Sequence, residues 1–260
     1  VLFQMTINKV FEKEYGSKVS DKEVDKELAK QKKQLGNQFD AYLAQQGLTE
    51  ETAKKQIRSN MLLEYAVNQA AKKDIKESDY KAAFESYTPE VTAQIIKLDS
   101  EDKAKEVLEA AKAEGADFAQ IAKDNSTDTA TKDKGGEVKF DSGTSGIPSQ
   151  VKEAAFKLDE NGISDVITVS AGQNYSASYY IVKLNKKTEK GSDWKKYEKR
   201  LKEIIVDGRK QDTNYIRSII AKAMTNANIK VKDDAFKSTF NQYLQNIGVQ
   251  TSDSKSSSKK

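Results

Sequence analysis

The sequence predicts an α+β protein in which two helical flanks form one discontinuous domain around a smaller inserted mixed unit. Three observations carry this reading. Apolar residues recur at helical spacing over residues 20–88 and again after Gly191. Seven of the 13 glycines fall between Gly115 and Gly172, the stretch in which β-type segments occur. Of 260 residues, 32% are charged and 37% hydrophobic, so neither flank offers a wide core alone. The economical solution packs the two flanks against each other.

In the first flank, Ser20 and Glu23 form a capping-box pattern, followed by Val24, Leu28 and Leu35 at helical spacing and by Gly36 as a stop. Phe39, Tyr42 and Leu43 mark a second helix that ends at Gly47. Thr49 caps a third, with a stripe of Ala53, Ile57, Met61 and Tyr65. Ser78 caps a fourth that carries Tyr80, Phe84 and Tyr87. Composition shifts at Pro89, one of two prolines. Val91–Leu98 reads as a strand, Glu101–Ala113 and Ala116–Lys123 as helices, and 125–134 as a polar loop. Gly135-Gly136 opens a strand over Glu137–Phe140. Pro148 suits the first turn of a helix with Val151, Ala155, Phe156 and Leu158 on its face. Ile163–Val169 and Ser176–Leu184 read as the last two strands, with a long loop, Ser170 to Ser178, between them.

In the second flank, Trp194, Tyr197, Leu201, Ile204 and Ile205 form one helical stripe, and Ile216, Ile219, Ile220 and Met224 another beyond Asp207-Gly208. A short strand is expected at Ile229-Lys230-Val231, and Phe236, Phe240, Tyr243 and Leu244 close the ordered chain. Val1-Leu2-Phe3-Gln4 resembles the remnant of a protease-recognition site and is set aside from the fold. The expected divisions are therefore 1–4, a helical part 5–88, a mixed domain 89–190, a second helical part 191–247 packing with the first, and a Ser/Lys-rich disordered tail 248–260.

Composition excludes several functions. Lys and Arg number 44 against 40 Asp and Glu, a net charge of +4, too balanced for a dedicated nucleic-acid binder. No apolar run of membrane-spanning length occurs. With no Cys there is no disulfide, thiol nucleophile or thiolate metal site, and with no His there is no imidazole base or imidazole-bound metal. Gly135-Gly136 is too short to cradle a phosphate, and acidic residues occur as helix charge pairs such as Glu101-Asp102. No cofactor and no metal is implied. The Lys-rich stretch Lys195–Lys202 reads as an amphipathic helix with a solvated basic face. Long charged helices with narrow apolar stripes suit a groove that holds another chain's apolar segments.

The middle segment carries a family resemblance. Val91-Thr92-Ala93, Asn125-Ser126-Thr127-Asp128, Lys134-Gly135-Gly136-Glu137, Glu153-Ala154-Ala155-Phe156-Lys157-Leu158, Gly162-Ile163-Ser164 and Tyr180-Ile181-Val182-Lys183-Leu184 follow in an order that resembles parvulin-type peptidyl-prolyl isomerases. With its flanks, roughly residues 10–245, the chain resembles the PrsA class of extracellular foldases of Gram-positive bacteria. The resemblance implies a lipid-anchored protein between membrane and cell wall that assists folding of secreted proteins. It also implies that the anchoring Cys precedes this chain.

A prolyl isomerase lowers a rotational barrier of roughly 20 kcal/mol. It needs an apolar slot for the ring and polar groups that favour the twisted amide. Parvulins place two His at the base of the site, and the resemblance puts Ile95 and Tyr180 at those positions, with Gln94 beside the first. Asp128 matches the family's Asp/Cys position, Ile147 and Val151 match the ring slot, and Phe140 is a further candidate substrate contact. The catalytic pair is thus lost, and the site reads as degenerate.

The leading reading is an extracytoplasmic holdase-foldase whose partners are unfolded or partly folded secreted proteins. The helical flanks would form a cradle, with Tyr42, Tyr65, Phe84, Trp194 and Tyr197 as candidate contacts. The alternative is an active parvulin-type isomerase acting on exported proteins. A structural surface protein is a third reading with no feature beyond the tail. No nucleic acid is expected, and membrane contact runs only through the lipid anchor. Completion of the cradle by a homodimer stays open.

Overall fold

The computed structural model describes residues 2–170, 177–227, 229, 234–246 and 248. Most of the loop Ser170–Ser178, two of the three residues of the expected strand 229–231 and the tail beyond Gly248 lie outside them. In chain order the helices and strands are α1 (Leu2–Tyr15), α2 (Asp21–Leu35), α3 (Phe39–Gln45), α4 (Glu50–Lys73), α5 (Glu77–Ser86), β1 (Val91–Leu98), α6 (Glu101–Lys112) and α7 (Phe118–Asn125). They continue as β2 (Glu137–Phe140), α8 (Ser149–Lys157), β3 (Ile167–Val169), β4 (Ser178–Lys187), α9 (Glu198–Gln211), α10 (Thr213–Asn226) and α11 (Asp234–Asn246). The fold is α+β, and its contacts divide it into a helical unit, residues 1–77 with 202–260, and a mixed unit, 78–201.

In the helical unit, local chemistry sets the helix ends. Ser20 accepts from the Glu23 amide while the Glu23 carboxylate accepts from the Ser20 amide, a complete capping box on α2. Thr49 and Thr52 do the same for α4. The stripe on α4 begins at Ala53 and Ile57 as expected but continues through Leu62, Ala66, Val67 and Ala71, leaving Met61 and Tyr65 half-buried. Of these, Ala53, Ile57, Leu62 and Ala66 meet Phe11 of α1, Val24 and Leu28 of α2, Met224 of α10 and Phe240 of α11 in one core. Arg58 of α4 fastens the end of α1: its guanidinium pairs with Glu12 at 2.8 Å and donates to the carbonyls of Gly16 and Val19. A cation at the carbonyls that follow the C-terminus of a helix is favourable.

Four expectations for the flanks are corrected. The first turn of α1 lies inside the segment set aside as a remnant, and the Phe3 ring meets Phe240 edge-on with centroids 6.0 Å apart. Apolar residues Ile7, Val10 and Phe11 at helical spacing were the missed signal. Ser78 lies within α5, which starts at Glu77, so it is not the cap. Helix α9 runs through Asp207-Gly208, since one helical glycine costs only about 1 kcal/mol. The break falls at Asp212, whose carboxylate accepts from the amides of Asn214 and Tyr215. Phe236, counted in the last stripe, is exposed.

In the mixed unit the four strands are antiparallel in the order β2-β1-β4-β3. Strand alternation splits the apolar residues between two faces. Ala93, Ile95, Val182 and Leu184 pack with Val151 and Ala155 of α8. Ile96, Leu98 and Ile181 pack with α6 and α7 through Ala104, Val107, Phe118 and Ala122. The strand expected from Ile163 begins only at Ile167. Upstream, the Ser164 hydroxyl accepts from the Val182 amide and so replaces the ladder bond a continued strand would make.

The mixed unit extends beyond 89–190 on both sides because α5 and residues 194–201 are held within it. Tyr80 stacks on Trp194 at 5.1 Å and Phe84 on Tyr197 at 5.8 Å. Beneath them Asp141, 6% exposed, receives a bidentate pair from Arg200 with bonds of 2.6 and 2.8 Å. Thr144 and the Tyr87 hydroxyl also donate to it, at 2.9 and 3.1 Å. Burial alone would raise the Asp141 pKa, but these donors and the guanidinium charge outweigh it and hold the carboxyl below its ordinary value. Burial and the adjacent carboxylate push the Tyr87 phenol up.

Removing one partner of a buried pair leaves an uncompensated charge. Arg200→Met is expected to destabilise the mixed unit by about 3 kcal/mol in urea unfolding followed by Trp194 fluorescence. Lys55→Met, which breaks an exposed pair with Glu51, is expected to cost less than about 0.5 kcal/mol. Because the folded pKa of Asp141 is depressed, its contribution is present above the ordinary carboxylate range and lost as pH falls through the folded value. The difference between wild type and Arg200→Met should therefore shrink in acid.

Candidate functional site

The expected isomerase positions gather on one face of the sheet. Ile95 on β1 and Tyr180 on β4 project to the same side, with Ile95 opposite Val182 and Tyr180 opposite Lys97. Ile95, Phe140, Ile147, Val151 and Tyr180 all belong to the apolar cluster beneath α8. Phe140 and Val151 are fully buried, and Phe140 packs on Phe156 at 5.7 Å between centroids. Both are therefore scaffold beneath the slot, and only Ile147 and Tyr180 of the five are half-exposed.

Gln94 lies elsewhere. Its position on β1 points it to the opposite face, where its amide donates to the Gly135 carbonyl at 2.9 Å. This bond steadies the glycine pair. Gly136 has φ +79°, and a Cβ there would lie 2.5 Å from the Ile95 carbonyl oxygen. The Gly136 carbonyl accepts from the Ile95 amide at 2.8 Å. The glycine pair is thus needed because β2 begins pressed against the backbone of Ile95. No phosphate or anion role is required to account for it.

The polar groups at the slot are few. Burial raises the Tyr180 phenol above its ordinary pKa, and the carboxylates of Asp128 and Asp99 push it the same way. Tyr180 is therefore a neutral hydroxyl near pH 7 that donates one hydrogen bond and cannot serve as a base. Asp128 is drawn into its own loop: its carboxylate accepts from the Thr131 hydroxyl at 2.6 Å and the Ala130 amide at 3.2 Å. Ile95 offers no polar atom. The face can bind an apolar ring but brings a single uncommitted hydroxyl to a twisting amide. No group of three or more His, Cys, Asp or Glu suited to a metal occurs among the described residues.

The five aromatic cradle candidates divide between the two units. Tyr42 and Tyr65 belong to the helical unit, whereas Phe84, Trp194 and Tyr197 belong to the mixed unit, stacked as described above. Tyr42 is 44% exposed and lines a cavity of about 380 Å³ with Leu43, Leu48 and Ile57. Tyr65 packs on Tyr15 at 5.8 Å. Lys190 sits 4.5 Å over the Phe84 ring and donates to the Phe84 carbonyl. Sequence reading missed Asp141, Arg200 and Arg58, whose partners lie 37 to 59 positions away. No local pattern marks such pairs.

The four-stranded sheet, the helix over its apolar face and the glycine pair define the class: a peptidyl-prolyl isomerase domain of the parvulin kind. Residues 68–186 match the rotamase family, described as the PPIC-type PPIASE domain. The chain as a whole belongs to the PrsA foldase family. It is 60% identical over 248 residues to Foldase protein PrsA of Streptococcus sanguinis, covering 95% of this chain and 74% of that one. The crystal structure of the Streptococcus pneumoniae foldase PrsA superposes with a TM-score of 0.84 at 55% identity, covering 93% of this chain and 88% of that one. The Lactococcus lactis foldase structure gives a TM-score of 0.76 at 37% identity, covering 93% and 87%.

The close approach at Gly136 predicts that Gly136→Ala costs about 2 kcal/mol or more in urea unfolding, combining a positive φ with backbone overlap. Gly191→Ala, where an added Cβ meets nothing within 4 Å, should stay within about 0.5 kcal/mol of wild type.

Proposed function

We propose that this foldase acts chiefly by holding non-native chains and that its isomerase domain is catalytically degenerate. The observation that carries this is the slot itself: an apolar isoleucine, one neutral tyrosine and an aspartate committed to its own loop stand where the family places its polar groups. Polar groups tuned to a transition state are commonly worth orders of magnitude in rate, whereas ring binding needs only apolar shape. The face is thus fitted to contact proline-containing segments without turning them over quickly.

The same reading places the work outside the cell membrane, on secreted chains that have just crossed it, with the protein held there by an N-terminal lipid. The family relationship supports this reading. No helix among the described residues is long and apolar enough to cross a membrane. The charged, narrow-striped helical unit suits weak and reversible contact with such chains.

A protease-coupled assay on Ala-Pro peptides tests the catalytic half. The expected rate is near the uncatalysed one. Ile95→His together with Tyr180→His should raise it by more than the sum of the two single variants, because paired groups act as one network. A wild-type rate matching a His-containing parvulin would overturn the reading.

A further inference from the structure

The helical unit carries a groove that the mixed domain does not share. A cavity of about 510 Å³ runs between α1, α4 and α10, and a second of about 420 Å³ lies between α1 and α10. Both are lined by Glu14, Ala223 and Asn226, so they lie side by side along the same helices. Each volume falls in the range of ligand-binding clefts. The floor is apolar and half-buried: Val10, Tyr15, Ala70, Ile219 and Ile229.

The rim has one sign of charge. Lys9, Lys13, Lys72, Lys73 and Lys222 line the two cavities and are all exposed, against the carboxylates of Glu14 and Asp74 alone. Among the described residues none of these five lysines is joined to a carboxylate, although lysines elsewhere on the same unit, such as Lys32, Lys54 and Lys55, are. Burial first, and then the neighbouring Glu14 carboxylate, raise the Tyr15 phenol above its ordinary pKa. A solvated helix face would intersperse both charges; here the uncompensated ammonium groups gather around an apolar trough.

We propose that this groove binds extended client segments in which apolar residues are flanked by Asp or Glu. The side chains would enter the trough while the lysines meet the flanking carboxylates, which sets a preference by charge and keeps release fast. The proposal rests on the reading of the protein as a holder of non-native chains and names where and how it holds them.

The test uses the full chain and two short fluorescein-labelled peptides with the same Leu/Val core, one flanked by Asp and one by Lys, in fluorescence anisotropy. The Asp-flanked peptide should bind about ten-fold more tightly at low salt. The ratio should narrow as salt shortens the Debye length from about 10 Å at 0.1 M. Lys72→Glu with Lys222→Glu, both at exposed positions, should invert the preference with unchanged circular dichroism. Ala70→Trp, which fills the floor, should weaken both peptides. Equal binding of the two peptides, or a preference indifferent to these variants, would overturn the groove. If neither peptide binds while the full chain still suppresses aggregation of a denatured test protein, the groove is wrong and the holding function stands. If aggregation is not suppressed either, both fall.

Discussion

The buried carboxylate of Asp141 is the constraint on which the mixed unit depends. It lies in the loop after β2, and its partners come from the end of α5 at Tyr87 and from Arg200. A carboxylate this buried is tolerable only when its acceptors are filled, and four bonds from Arg200, Tyr87 and Thr144 do so. Once these are made, the segments on either side of the sheet domain are committed to it. The stacks of Tyr80 on Trp194 and Phe84 on Tyr197 then close over the same junction. This is why the unit runs from 78 to 201 when composition alone changes near Pro89.

The sheet above that junction keeps the parvulin-type architecture, while Ile95 and Tyr180 stand at the positions where the proposed function places the lost polar pair. The strand register, the glycine pair against Ile95 and the apolar cover of α8 are all maintained by packing. The sheet register and the close approach of Gly136 to Ile95 are backbone contacts, so a change of side chain at the slot leaves them intact. Fold and activity are therefore separable here. On the function proposed above, such a domain offers an apolar surface to a proline-containing segment and binds more than it catalyses.

What the sequence disclosed follows from range. The capping box at Ser20–Glu23 and the cap at Thr49 span three residues and are found as read, the second completed by Thr52. The bounds of β1 and β2 coincide with the expected strands, since alternation and the glycine pair are local signals. Trp194 and Tyr197 were assigned to the wrong body because a helical stripe has the same period whatever it packs against. Gln94 was placed beside Ile95 by adjacency, yet adjacent strand residues face opposite ways. The Asp141 network joins positions 54 and 59 apart, and the lysine-rimmed groove joins three helices. In one dimension those lysines look like any solvated face.

The account holds that clients are held by contact and not by proline isomerisation. The most direct measurement compares a client that aggregates on dilution from denaturant with a variant of the same client whose prolines are all replaced. At equal molar ratio of this protein, light scattering should show the two clients protected to the same degree. Protection that disappears for the proline-free client would contradict the account and return the function to the isomerase slot.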